Sequence, residues 1–183
     1  MILFTALYIS GEAADAAVRL SELLRSRSEG SYPPRENYHV TIHYFGEQDR
    51  RTMQKIRAVL DAHPIPECSL TFDRLVRFHG NRGDQVVYAA ADCAALSAWR
   101  RTLSEAYRKE GIGFDEKDFL PHITLVRGKQ GRIQFEDIEV PAVTFRPAKP
   151  VLLESLQIRG KRIYRPAEPE DEEHEYDDQS DTV

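Results

Sequence analysis

Hydrophobic and polar positions change period several times along the 183-residue chain. Residues 2–10, ILFTALYIS, alternate loosely and are rich in Ile, Leu, Phe and Tyr, which predicts a strand. Ser10 stands where it can cap a following helix, with Glu12 in the first turn. In that helix Ala13, Ala17, Leu20, Leu23 and Leu24 fall on one stripe, which ends in RSRSEGS. YPPREN forces an extended lead into YHVTIHYFG, where residues 38–45 read as a second strand. Met53, Ile56, Val59 and Leu60 recur at helical spacing after Asp49, a suitable N-cap. Residues 67–78 and 84–91 alternate as two strands around GNRGD. Asp92 is placed to cap a helix reaching about Glu110, with Leu96, Trp99, Leu103 and Tyr107 on one face. GIGFDEKDF reads as a loop, 121–127, 137–146 and 150–158 as strands, and GKRIYRPA as the end of the ordered part.

Laid side by side, two stretches repeat. Strand, N-cap, helix, loop and a strand carrying His-x-Thr occur at 2–42 and again, in that order, at 84–125. From Tyr8 to His39 is 31 residues, and from Tyr88 to His122 is 34. This is an internal duplication of a strand–helix–strand unit.

Successive side chains on a strand point to opposite faces. Strict alternation therefore groups His39, Thr41, His43 and Phe45, with Val40, Ile42 and Tyr44 behind them. It likewise groups His122 with Thr124, in front of Ile123 and Leu125. A lone histidine on a strand is usually structural. Two His-x-Thr pairs at equivalent places of a duplicated unit instead suggest one shared cleft on a pseudo-twofold axis. In-line displacement at phosphorus needs one group to take a proton from the entering oxygen and another to protonate the leaving oxygen. Imidazole titrates near neutrality and can fill either role. Threonine hydroxyls can donate to the non-bridging oxygens, where charge accumulates.

Charge changes the picture in one place. The net charge is −5, but PAEPEDEEHEYDDQSDTV at 166–183 holds nine acids and no Lys or Arg. Without it the body has 25 basic against 21 acidic residues, a net +4, which suits a polyanionic ligand. The expected organisation is a single catalytic domain of two pseudo-symmetric lobes at 1–165 and an acidic disordered tail at 166–183. That tail reads either as a solubilising appendage or as an electrostatic mimic that competes for the basic site. Cys68 and Cys93 form neither a disulfide framework nor a metal-binding pair. MILFTALYIS lacks the charged and apolar regions of a signal peptide, and no apolar run approaches a membrane span. The expectation is a cytoplasmic monomer with no membrane partner and no cofactor.

HVTI at 39–42 and HITL at 122–125 resemble the paired His-x-Thr-x motifs of the two-histidine phosphoesterases. Within that superfamily the chain is most similar to the RNA 2',3'-cyclic phosphodiesterases, also called 2'-5' RNA ligases. PPRENYHVTIHYFGE resembles the first motif with its setting, FLPHITLVR the second, and VLLESLQIRGKRIYRPAE the closing hairpin. The resemblance covers residues 2–167 and implies an α+β, bilobal fold with antiparallel sheets around a central cleft. It implies hydrolysis of RNA ends bearing a 2',3'-cyclic phosphate to 2'-phosphomonoesters, and the reverse 2'-5' ligation. Carried over, His39 is the proton donor and His122 the proton acceptor, while Thr41, Thr124 and Arg127 bind phosphate. Alternation places Arg127 on the face opposite His122, so it needs a bulge or a strand end to reach the cleft.

Other candidates carry less. His43 is expected as a groove residue behind the site rather than a metal ligand, since an i, i+4 strand pair spans about 13 Å. Tyr32, Tyr38 and Phe119 precede the motifs and are expected to face a nucleobase or the core. His63, His79 and His174 read as solvated. Two other functions stay open: a protein that binds RNA ends or nucleotides without turnover, and a phosphodiesterase for a small cyclic nucleotide.

Overall fold

The computed structural model describes residues 1–91 and 93–168. Asp92, the expected helix cap, and most of the acidic stretch lie outside the described residues. The elements run β1 (Ile2–Tyr8), α1 (Gly11–Arg25), β2 (His39–Glu47), α2 (Arg50–Ala62), β3 (Leu70–Gly80), β4 (Gly83–Ala90), α3 (Ala94–Lys109), β5 (His122–Gly128), β6 (Val143–Phe145), β7 (Val151–Ile158) and β8 (Lys161–Pro166). They build two four-stranded antiparallel sheets, ordered β2-β1-β7-β8 and β5-β4-β3-β6. Read in that order the sheets correspond strand for strand, so the duplication is structural. The first lobe completes its sheet with strands returned from the end of the chain.

Local chemistry sets most boundaries. Asp49 caps α2, its carboxylate accepting from Thr52 N–H at 2.7 Å. Ser10 occupies the N-cap of α1, but its hydroxyl makes no capping bond. The buried stripe of α1 is Ala13, Ala14, Ala16, Ala17, Leu20 and Leu24, while Leu23 is exposed. The strand expected at 137–146 shrinks to Val143–Phe145. Ahead of it runs a loop: Arg77 donates to Ile133 O at 2.7 Å and to Glu136 at 3.0 Å, and Ile138 N–H closes a turn on Phe135 O. The end of the body also moves, because Ala167 is buried and its N–H donates to Leu152 O.

Each motif strand carries a bulge at the same place. Against β1, Thr5 faces His43 and Ala6 faces Thr41, which leaves Ile42 as the extra residue. Against β4, Val86 faces Val126 and Val87 faces Thr124, which leaves Leu125 as the extra residue. A bulge breaks the ladder and reverses the facing of everything after it. The loosened carbonyls are taken up by helices: Ile42 O accepts from Arg100 Nε of α3 at 2.9 Å, and Leu125 O from Ser21 Oγ of α1 at 3.2 Å. The helix of each repeat thus braces the motif strand of the other, and one hydrophobic core runs through both lobes. The register also corrects the repeat by one residue. Tyr8 pairs with His39 but Ala89 pairs with His122, so Tyr88 lies on the core face, fully buried. Among the described residues no helix is long and apolar enough to cross a membrane.

Candidate active site

β2 and β5 meet where the two sheets join, and each opens with its motif histidine. The two imidazoles are anchored alike. His39 Nδ1 lies 2.7 Å from Asn37 O, and His122 Nδ1 lies 2.7 Å from Leu120 O. A carbonyl only accepts, so each Nδ1 carries a proton and each neutral ring keeps an unprotonated Nε2. The Thr41 hydroxyl donates to His39 Nε2 at 3.1 Å. Phe4 and Tyr164 hold the His39 ring at centroid distances of 5.2 and 5.1 Å, and Phe78 meets the His122 ring edge-on at 5.0 Å.

Burial sets the charge state. It is the main reason His39 is lowered to about 4; the Asn37 carbonyl opposes the shift, and the charges of Arg127 and His122 add to it. His122 is lowered as well, by burial first and by Arg127, against the pull of Leu120 O. Both imidazoles therefore sense the same guanidinium, and His39 senses His122. The bulge at Leu125 explains how: Arg127 is turned onto the face of His122 and Thr124, which strict alternation had denied it. Burial lowers the guanidinium of Arg127, and neighbouring Tyr164 opposes that shift.

The matching bulge at Ile42 corrects the other end of the first motif. His43 does not share the face of His39 and is not a groove residue. It turns inward, 1% exposed, with Nε2 2.8 Å from Ser104 Oγ and its ring among Phe45, Tyr107 and Phe114. Burial, then Arg100 and Arg108, push it down to about 3. Tyr44, expected behind the motif, faces outward instead at the place that Arg127 holds in the second motif.

The aromatic candidates for base contact are not brought to the histidines. Tyr38 is core, its hydroxyl donating to Ser21 Oγ at 3.2 Å. Tyr32 lies under Arg25 and donates to Ser28 O at 2.7 Å, beside the α1 exit. Phe119 is covered by Arg100, 4.9 Å from its ring centre. His63 is not simply solvated: its Nδ1 meets Val59 O at 2.7 Å and its carbonyl accepts from Trp99 Nε1. His79 pairs with Asp84 at 2.9 Å, and His174 lies outside the described residues. Phe4, Phe78 and Tyr164 went unread as site residues because they reach the motifs across strand pairings that no single stretch reveals. Among the described residues no group of three or more His, Cys, Asp or Glu side chains could hold a metal ion.

Comparison with known proteins agrees with this architecture. An RNA 2',3'-cyclic phosphodiesterase of Geobacillus stearothermophilus is 28% identical over 138 residues, covering 73% of this chain and 44% of that protein. The chain thus spans less than half the length of that relative. The crystal structure of E. coli LigT complexed with 3'-AMP superimposes with a TM-score of 0.71 at 19% identity, covering 91% of this chain and 95% of that one. A crystal structure from Thermus thermophilus gives a TM-score of 0.71 at 19% identity, with 92% and 96% covered. The MHV ns2 PDE domain gives 0.61 at 13% identity, with 83% and 98% covered. These likenesses establish the fold. The model of the 2'-5' RNA ligase superfamily matches residues 12–159, and the chain, with its two bulged His-x-Thr strands, belongs to that superfamily.

Proposed function

We propose that this chain hydrolyses RNA 2',3'-cyclic phosphate ends to 2'-phosphomonoesters by general acid–base catalysis. Water attacks phosphorus as His122 Nε2 takes its proton, the P–O3' bond breaks, and His39 delivers a proton to O3'. Thr41, Thr124 and Arg127 hold the non-bridging oxygens, where charge builds up. With a 5'-hydroxyl in place of water, the same forward steps join two RNA ends through a 2'-5' bond, and their reversal cleaves it. The superfamily match and the G. stearothermophilus relative support the reaction class.

One observation carries the assignment: both imidazoles are pinned through Nδ1 and both are lowered by the charge of Arg127, which supports two Nε2 atoms serving one phosphate. An acid at His39 must be protonated, whereas burial, with Arg127 and His122 adding to it, holds the imidazole neutral at pH 7. Bound phosphate resolves the conflict, since its negative charge favours both imidazolium forms. Thr41 is then freed from Nε2 to face phosphate.

The test is an end-group assay on a short RNA with a 2',3'-cyclic phosphate, run with EDTA present. Release of a 2'-phosphomonoester supports the proposal. Tight binding without turnover, or turnover of free nucleoside cyclic phosphates alone, replaces it with one of the other two functions. We also infer a cytoplasmic monomer whose catalytic domain ends near Ala167 and whose acidic stretch is a separable appendage. Removing residues after Glu168 should leave the melting temperature unchanged and strengthen RNA binding; a clear drop in melting temperature contradicts this.

A further inference from the structure

A concavity of about 980 Å³ lies away from the histidines. It opens at the far end of β5, between the exit of α1, the β3–β4 hairpin and the loop after β5. Arg127 belongs to both places. On the sheet face of His122 and Thr124, the next pair outward is Arg127 on β5 and Gln85 on β4, and both line the groove. Following that face out of the cleft therefore leads into the groove.

The groove is built by close backbone approach. Gly83 has φ +125°, and a Cβ there would stand 2.2 Å from Gly128 O. A Cβ at Gly30 would meet a Val126 methyl at 2.6 Å and Arg127 O at 2.8 Å. Asp84 ties hairpin to loop: its buried carboxylate accepts from Gly131 N–H at 2.8 Å, Arg77 at 3.0 Å and His79 at 2.9 Å. Its charge is compensated on the spot. Arg27 is likewise spent on Asp137 at 2.5 Å. Arg82, Lys129 and Arg132 are different: all three are exposed, and among the described residues their side chains make no ion pair or hydrogen bond. Glu29 is the remaining acid of the lining, so the mouth keeps an excess of free positive charge.

We propose that this groove binds the phosphodiester backbone just upstream of the cyclic-phosphate end, and that the enzyme therefore favours oligonucleotides over free nucleoside cyclic phosphates. The proposal rests on the function argued above. A basic track continuous with a phosphate site fits a chain whose own end is the substrate, and strand-tracking grooves of this kind carry backbone charge without reading sequence. A cyclic-phosphate end has only an upstream chain to accommodate, and this groove supplies one path for it.

The experiment compares kcat/KM for a nucleoside 2',3'-cyclic phosphate and for a single-stranded RNA of about eight nucleotides with the same terminal residue. Both are measured on the wild type and on Arg82→Ala/Lys129→Ala/Arg132→Ala across a salt series. The wild type should prefer the oligonucleotide, and the variant should lose that preference while keeping its rate on the mononucleotide. At about 0.7 of log–log salt slope per single-strand phosphate contact, the variant's slope should be shallower by about 2. Absence of preference in the wild type, or an unchanged preference in the variant, overturns the groove. Fluorescence anisotropy with the 2'-phosphate-ended RNA separates the two claims. If neither substrate turns over, the catalytic reading fails, yet binding lost in the variant still supports the groove. Binding that ignores the substitutions, or a groove that takes an acidic peptide and not RNA, removes it.

Discussion

The two motif strands share a plan up to the bulge and differ beyond it. In β2 and β5 the histidine donates Nδ1–H to a carbonyl two residues back, and a bulge follows the threonine. A helix from the other repeat takes up each bulged carbonyl. Beyond the bulge the copies part. The residue returned to the cleft face is Tyr44 in the first motif and Arg127 in the second. What duplication preserved is the anchored histidine, the threonine and the bulge; what it let diverge is the side chain that follows them on the same face.

The largest expected effect tests the shared half. His39→Ala and His122→Ala should each lower turnover about 10²–10⁴-fold, the usual share of general acid–base catalysis. Full activity in either variant, read by the end-group assay, removes that imidazole from the reaction. The next effect tests the divergent half. Arg127→Ala should cost about 10²–10³-fold in kcat, on the scale of losing one charge-stabilising donor. Tyr44→Ala should cost far less and act mainly on KM. Equal losses in kcat would mean that the two positions never diverged in role.

Acidity sharpens the comparison further. Both imidazoles sit below their ordinary value of 6.5, His39 at about 4. One must be charged and the other neutral, so kcat/KM should be bell-shaped, with its descending limb below pH 6.5. Phosphate raises both imidazoles, so the limbs of kcat should lie at higher pH. Coincident profiles would deny that phosphate sits between the rings.

The smallest effect on activity belongs to His43→Phe, because His43 faces the core rather than the cleft. Stability should respond more. A histidine lowered to about 3 in the folded chain is protonated only on unfolding, so its contribution is present above 6.5 and is lost as pH falls below it. Urea midpoints at pH 7.5 and 5 should therefore differ less in the variant than in the wild type. A pH dependence that is unchanged would show that His43 is not the buried neutral group described.

Much of this was legible in the chain. Alternation and helical spacing located nearly every element, Asp49 its cap, and the repeated His-x-Thr pair the two strands that carry the candidate site. Period-2 reasoning failed at Ile42 and Leu125. A bulge is decided by what a neighbouring helix offers its freed carbonyl, here Arg100 and Ser21, and those partners lie 58 and 104 residues away in sequence. That one failure misplaced His43 and Tyr44, and it created the objection to Arg127. The strand foreseen at 137–146 shortened to Val143–Phe145, behind a loop whose backbone Arg77 and Asp84 hold at Ile133 and Gly131.

The central claim is that one phosphate lodges between both imidazoles, and nitrogen-15 NMR of the histidine side chains can address it directly. Titrating the protein with an RNA ending in a 2'-phosphate should move the Nε2 resonances of His39 and His122 together, with a single affinity, while His43 and His63 stay still. Movement of only one of the two, or of the pair with different affinities, would contradict a shared phosphate.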